Sequence, residues 1–115
     1  MRVVHDPDGR DRTLASDVEV AESLVRQGLG LMFRRSIPDD YALVFPFDGA
    51  DTRFIHMVFV PFPLDAVWLV DDEVQAVETV PAWTGTGRAR ADTLLELPAG
   101  AADGVEEGDT VVVRC

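Results

Sequence analysis

The sequence predicts a mainly β protein: a small β-sandwich or barrel of about eight short strands with one short helix. Three observations carry that expectation. Apolar runs rich in Val, Phe and Leu recur at strand length. They are bounded by Gly, Pro and Asp, residues that punctuate turns. Only one stretch carries both the start and the stop signal of a helix. With 115 residues, the expectation is one domain over 1–115, large enough to bury a core without disulfide or metal staples.

Residues 1–5 and 13–22 flank Asp6-Pro7-Asp8-Gly9, so an opening β-hairpin is expected, with Leu14, Val18 and Val20 facing inward. Ser23 is a good N-cap for a helix over 24–29, and Gly30 supplies a left-handed stop. Leu31-Met32-Phe33 then packs inward, and Pro38-Asp39-Asp40 turns the chain. The remaining strands are expected at 41–47, 53–60, 64–70, 74–80, 93–97 and 110–114. Asp48-Gly49-Ala50-Asp51 and Asp71-Asp72 read as tight turns, and residues 82–91 as a longer flexible loop. No βαβ pattern, internal repeat or linker is legible.

The charge balance is unusual. Acidic residues number 21 against 10 basic ones, net −11, and every basic residue is arginine. Such a surface resembles that of proteins from salt-accumulating halophiles, where salt screens the mutual repulsion of carboxylates. A GC-rich genome also writes Arg for Lys, and the scarcity of Asn and Ile fits that second cause. The charge argues against nucleic acid and anionic membranes as partners, because both need clustered cations. Arg34-Arg35, with Arg26 nearby, is the one basic cluster, enough for a single anion. The lone Cys115 excludes an internal disulfide framework. No apolar signal segment opens the chain, and His56, Pro61, Pro63 and Asp65 interrupt the apolar stretch over 54–70. A cytoplasmic protein is expected.

Gly30-Leu31-Met32-Phe33-Arg34 matches the G-L-M-x-R signature of the DUF192 family, also called UPF0127. Ser23 stands where that family has a helix-capping Thr, and Ala42-Leu43-Val44-Phe45-Pro46-Phe47 resembles its G-M-L-F-x-F strand. Pro63-Leu64-Asp65 matches P-L-D, Leu95-Glu96-Leu97-Pro98-Ala99-Gly100 resembles L-E-L-x-A-G, and Gly108-Asp109 matches a terminal G-D. The resemblance spans roughly residues 18–114. It implies a compact, mostly β domain of jelly-roll or barrel type with no assigned activity. Many bacterial members carry F-W-M-K-N-T before P-L-D, where this chain reads Ile55-His56-Met57-Val58-Phe59-Val60. That departure resembles the archaeal form of the family. No role of the bacterial Lys or Asn transfers; Met57 and Asp65 remain positions of interest.

Five residues are candidates for a ligand site. If 53–60 and 64–70 pair around Pro61-Phe62-Pro63, His56 and Asp65 lie near opposite ends of the loop region, where a carboxylate could orient an imidazole. The structural alternative has Asp65 capping a turn through backbone N–H groups and His56 half-exposed on a strand. Arg34 suits a carboxylate or phosphate, and in so acidic a chain Asp65 or Glu96 is its expected partner. Glu96 interrupts an apolar strand, and simple exposure is the plainer account. Met57, like Met32, either lines a pocket or fills the core, the usual job of methionine.

Metal spacing is absent: His5 and His56 are far apart, and a His56, Asp65 and Glu96 set has no His/Cys pattern behind it. Gly85-x-Gly87 lacks the strand and helix context of a phosphate loop, so no cofactor is expected. No catalytic constellation is legible. Three functions follow: a non-catalytic small-ligand-binding or accessory module with a cleft near His56, Asp65 and Arg34; a small enzyme using His56 and Asp65 as acid and base; or a structural or protein-interaction domain without a ligand site. The partner is a small molecule or a protein, and the sequence sets no oligomeric state.

Overall fold

The chain bends once at Ser16, and that bend organises the sheet. In the computed structural model, which describes residues 1–6 and 10–114, the elements run β1 (Arg2–Asp6), β2 (Arg12–Ala15), β3 (Asp17–Val20), α1 (Leu24–Leu29), β4 (Tyr41–His56), β5 (Leu64–Val70), β6 (Glu73–Val80), β7 (Thr86–Pro98) and β8 (Thr110–Arg114). The eight strands form one sheet in the order β2-β1-β8-β6-β5-β7-β4-β3. Its edges, β2 and β3, are therefore consecutive in sequence and separated only by Ser16. The sheet is not closed, but it curls until the bend carries the chain from one edge to the other.

Both faces of the central strands are buried, which explains why β5 reads as a continuous apolar run rather than an alternating one. On one face, Leu64, Ala66 and Trp68 of β5 join Tyr41, Leu43 and Phe45 of β4 and Leu94 of β7, closed by Leu31, Met57 and Val60. On the other, Val67, Leu69, Val44, Leu95 and Leu97 pack against Val3, Leu14 and Val111, so β1, β2 and β8 fold over that face. Trp68 is fully buried, and its indole N–H donates to the Arg53 carbonyl at 3.0 Å. Each such side chain contributes about 2 kcal/mol by leaving water.

Mainly β character, eight strands and one short helix agree with the sequence reading; several connections do not. The antiparallel β1–β2 pair begins the expected hairpin, but after Ser16 the chain leaves for the far edge. There β3 lies parallel to β4, joined through α1, so a βαβ-type crossover exists where none was expected. The expected turn at 48–51 is instead part of β4, which runs through it as one strand with an irregular register between Pro46 and Asp51. The expected hairpin of 53–60 with 64–70 does not form: β4 ends at His56, and β7 lies between β4 and β5. Nor is 82–91 a loop, since β7 begins at Thr86. Asp71-Asp72 does make a tight turn, with both residues at positive φ, 49° and 66°, as a hairpin of this hand requires. Pro7-Asp8-Gly9 and Cys115 lie outside the described residues. No helix among the described residues is long and apolar enough to cross a membrane.

Candidate functional site

The site is assembled where α1 ends over the first face of the sheet. The Ser23 side chain accepts the Arg26 N–H at 3.0 Å and starts the helix, as its sequence position predicts. Gly30 stops it at φ 52° and ψ −124°, a combination that L-residues rarely adopt. The Gly30 N–H donates to the Arg26 carbonyl, and the Arg26 guanidinium returns a bond to the Gly30 carbonyl. Gln27 ties the helix to the sheet by donating to the carbonyls of Ala21 and Pro46, each at 3.0 Å. Beneath this helix end lies a cleft of about 130 Å³. Its walls are mostly apolar, built by Leu31, Met32, Phe45, Phe47, Phe54, Val60 and Leu94, and its polar side chains are Gln27, His56 and Glu96.

Glu96 is the chemical centre of this cleft. Simple exposure was expected, but the residue is buried, with only 5% of its surface accessible. The reason is its strand: β7 is central, and Glu96 faces Leu43 of β4 on one side and Ala66 of β5 on the other. A Cβ placed on Gly30 would lie 3.7 Å from Glu96 Oε1, so the helix end covers the carboxyl directly. Oε1 has no hydrogen-bond partner among the described residues. Burial pushes the carboxyl up to about 7, against a smaller opposing pull from Arg26. A carboxylic acid in such a place holds a proton near neutrality and can donate, accept or give it up to a ligand.

His56 lies at the end of β4, exposed, opposite Thr86. It lines the cleft with Glu96 and also a neighbouring depression shared with Phe54, Ile55 and Arg88. Asp65 is on neither. It is buried on the other face, accepting from Thr79 Oγ1 at 2.7 Å, the Gly100 N–H at 3.0 Å and the Ala102 N–H at 2.9 Å. This is the turn-capping role set out as the structural alternative, and it ties the loop after β7 to β5 and β6. The His56 and Asp65 juxtaposition is thereby lost, because β7 stands between their strands. Met57 is completely buried and does core work, while the half-buried Met32 lines the cleft.

Arg34 makes an internal clamp as anticipated, but with a different carboxylate. Its partner is Glu19 of β3, at 2.9 Å, rather than Asp65 or Glu96. Arg26 lies 3.0 Å from the same Glu19 oxygen, and the Tyr41 hydroxyl donates to it at 2.6 Å. Arg26, Tyr41 and Arg34 together hold the Glu19 carboxyl down at about 2, whereas burial first and Glu19 second push the Tyr41 phenol up to about 12. The parallel β3–β4 pairing brings Glu19 here, a long-range relation without a local sequence signal. His5 is a second surprise: it is buried and bonded to Asp109 at 2.9 Å, which also accepts the Glu106 N–H at 3.0 Å. The G-D motif thus anchors the turn before β8 to β1. Among the described residues, no three His, Cys, Asp or Glu side chains gather as a metal site.

Phe33 corrects the expectation that it packs inward. It is 68% exposed and stacks on Phe59, centroids 4.9 Å apart, with exposed Trp83 and Arg35 beside them. Phe33, Phe59 and Trp83 all have positive φ, at 69°, 58° and 67°, a strained conformation for bulky residues. Backbone bonds hold the group: the Phe33 N–H donates to the Phe59 carbonyl at 2.8 Å, and the Trp83 N–H to the Val60 carbonyl at 3.0 Å.

Comparison with known proteins adds fold and family. One similar solved structure is a "putative transcription regulator" from Sinorhizobium meliloti 1021, 26% identical, with a TM-score of 0.84 over 96% of this chain and 91% of the other. Another is a protein of unknown function from Novosphingobium aromaticivorans DSM 12444, 24% identical, with a TM-score of 0.84 over 97% of this chain and 84% of that one. No curated protein matches. The model of DUF192, described as "Uncharacterized ACR", matches residues 3–113, a span running from β1 into β8 that takes in Gly30, Asp65, Glu96 and Asp109, and the chain therefore belongs to the DUF192 family.

Proposed function

We propose that the protein is a non-catalytic small-ligand-binding module whose cleft lies over Glu96, with His56 at its rim. One observation carries this reading: a buried carboxyl whose Oε1 has no partner among the described residues, at a cleft walled largely by apolar side chains. Burying such a group without a partner costs several kcal/mol, on the order of 2–7 for a neutral polar group. Folds retain costs of that kind where a ligand completes the hydrogen bonding. The site is thus His56 and Glu96, with Met32 and the phenylalanines as walls, while Arg34, Met57 and Asp65 hold the scaffold. An acid–base enzyme finds less support, because Asp65 is engaged by three donors away from His56. The similarity to a protein named for transcription regulation does not extend to direct DNA contact in this reading, since net −11 opposes it. The acidic, lysine-free surface supports a cytoplasmic, salt-rich setting.

The test is a thermal-shift screen of small molecules against wild type and Gly28→Trp. Gly28 borders the cleft, and a Cβ there meets nothing within 4 Å, so a side chain can leave the backbone at the rim without a clash at its first atom. A compound that raises the melting temperature of wild type but not of the blocked variant supports the reading. Equal responses of the two proteins to every compound would overturn it.

A second reading, an interaction domain, is favoured by the strained exposed Phe33, Phe59 and Trp83. Aromatics and arginine are the usual centre of such surfaces. With a second copy as the occupant, the sedimentation coefficient rises with concentration in wild type and stays constant in Trp83→Ser; a concentration-independent wild-type value rejects it.

A further inference from the structure

We propose that the cleft takes a small organic cation, a primary amine or a quaternary ammonium, held by the Glu96 carboxylate and the faces of the surrounding phenylalanines. This rests on the reading that the cleft is a ligand site, and it names the ligand class.

The argument is one of complementarity. Among the described residues Glu96 Oε1 is buried and unpartnered, while Gln27 and Arg53 are committed elsewhere and Arg26 Nη2, itself without a hydrogen bond, is drawn into an ion pair with Glu19 at 3.0 Å. Arg26 bonds Glu19 and the Gly30 carbonyl. Gln27 bonds the carbonyls of Ala21 and Pro46. Arg53 of β4 bonds the carbonyls of Gly49 and Ala91 and stacks 4.1 Å over Phe47. Once ionised, the carboxylate repels an anion; a purely apolar molecule would leave its oxygen orphaned, and a neutral donor would satisfy it without a countercharge. A primary ammonium supplies both the donor and the countercharge, whereas a quaternary ammonium supplies the countercharge alone. Phe45, Phe47 and Phe54 line the same space, and aromatic faces attract cations, most strongly where water is excluded. The net charge of −11 raises the local concentration of cations around the whole molecule. A volume of about 130 Å³ is close to the engineered cavity of about 150 Å³ that binds benzene, so a ligand of about five or six heavy atoms fits.

Binding an ammonium requires the ionised carboxylate, so the complex releases a proton wherever Glu96 is protonated when free. Arg26 of α1, itself paired with Glu19, is the charged group that acts on this titration; His56 of β4 lines the same cleft, Arg53 of β4 stacks over the cleft wall at Phe47, and Asp65 of β5 faces away. Affinity then rises with pH up to about 7, by as much as tenfold per unit, and levels off above it.

The experiment is calorimetry at constant KCl with butylammonium and tetramethylammonium chlorides, against 1-butanol as the neutral match. The ammonium probes are expected to bind wild type with the rising pH profile, releasing up to one proton measured in buffers of different ionisation enthalpy. Glu96→Gln, which retains the shape, is expected to weaken them at least tenfold and leave butanol unchanged. Phe54→Ala, at a 71% exposed position where folding is safe, is expected to weaken tetramethylammonium more than butylammonium. Equal binding of butanol and butylammonium, or no loss in Glu96→Gln and no proton release, overturns the cation assignment while leaving a ligand cleft in place. If none of the three probes binds, the cation assignment also fails, and the Gly28→Trp screen then decides the cleft itself.

Discussion

Asp65 and Glu96 occupy neighbouring strands one register step apart, yet their carboxyls serve opposite faces of the sheet. Asp65 pairs across from Leu97 and Glu96 from Ala66, and strand alternation sends the two side chains in opposite directions. The Asp65 carboxylate meets three donors and stitches the loop after β7 to the sheet. The Glu96 carboxyl meets a cleft, and its buried Oε1 has no partner among the described residues. Two acids from two motifs of one sequence thus divide into one that ties the scaffold and one that lines the cleft.

Asp65 should therefore be structural. Asp65→Ala removes a charged acceptor from three donors, two of them backbone N–H groups. The expected loss is about 3 kcal/mol of stability in urea unfolding. Cleft binding in the folded fraction should be unchanged; a stable Asp65→Ala protein that no longer binds would reverse the assignment.

Glu96 sets the pH dependence between its unfolded and folded values. In the native state it keeps its proton up to about 7, against 4.5 as the ordinary value. Between those values the native state binds more protons than the unfolded chain, so stability falls as pH rises. The contribution is complete below 4.5 and lost above about 7, and it amounts to about 3 kcal/mol. Glu19 acts in the opposite sense and at lower pH: its stabilisation is present above 4.5 and fades as pH falls toward about 2, weakly because its side chain is 41% accessible. Glu96→Gln should abolish the decline between pH 5 and 7, and chemical denaturation across that range measures it.

Gly85 should tolerate no side chain. A Cβ there would lie 2.5 Å from the Pro81 carbonyl oxygen and against Val80, both parts of the turn it closes. The Gly85 N–H also donates to that carbonyl, and its own carbonyl receives the Met57 N–H. Gly85→Ala is expected to cost at least about 2 kcal/mol, since backbone must move to make room. A melting temperature within a degree of wild type would show that the turn yields instead.

Salt should stabilise the fold. With net −11 and no lysine, carboxylate repulsion opposes the compact state until it is screened. Thermal melts from low to molar KCl should show a rising midpoint; a flat midpoint would remove the halophilic reading.

Sequence alone determined the local features of this protein. The Ser23 cap, the Gly30 stop, the Asp71-Asp72 turn and most strand positions follow from propensities and dihedral limits that act within a few residues. The motif around Gly30 was legible for the same reason, because its φ admits little else. Pairing was not legible. That β7 stands between β4 and β5, that Glu19 rather than Asp65 meets Arg34, and that Glu96 is buried rather than exposed all depend on which strands adjoin. Alternation gave Glu96 its face, but only the covering helix end decided whether that face met water or Gly30. Tertiary structure decided the candidate site, because burial is a property of what packs over a residue and not of the residue itself.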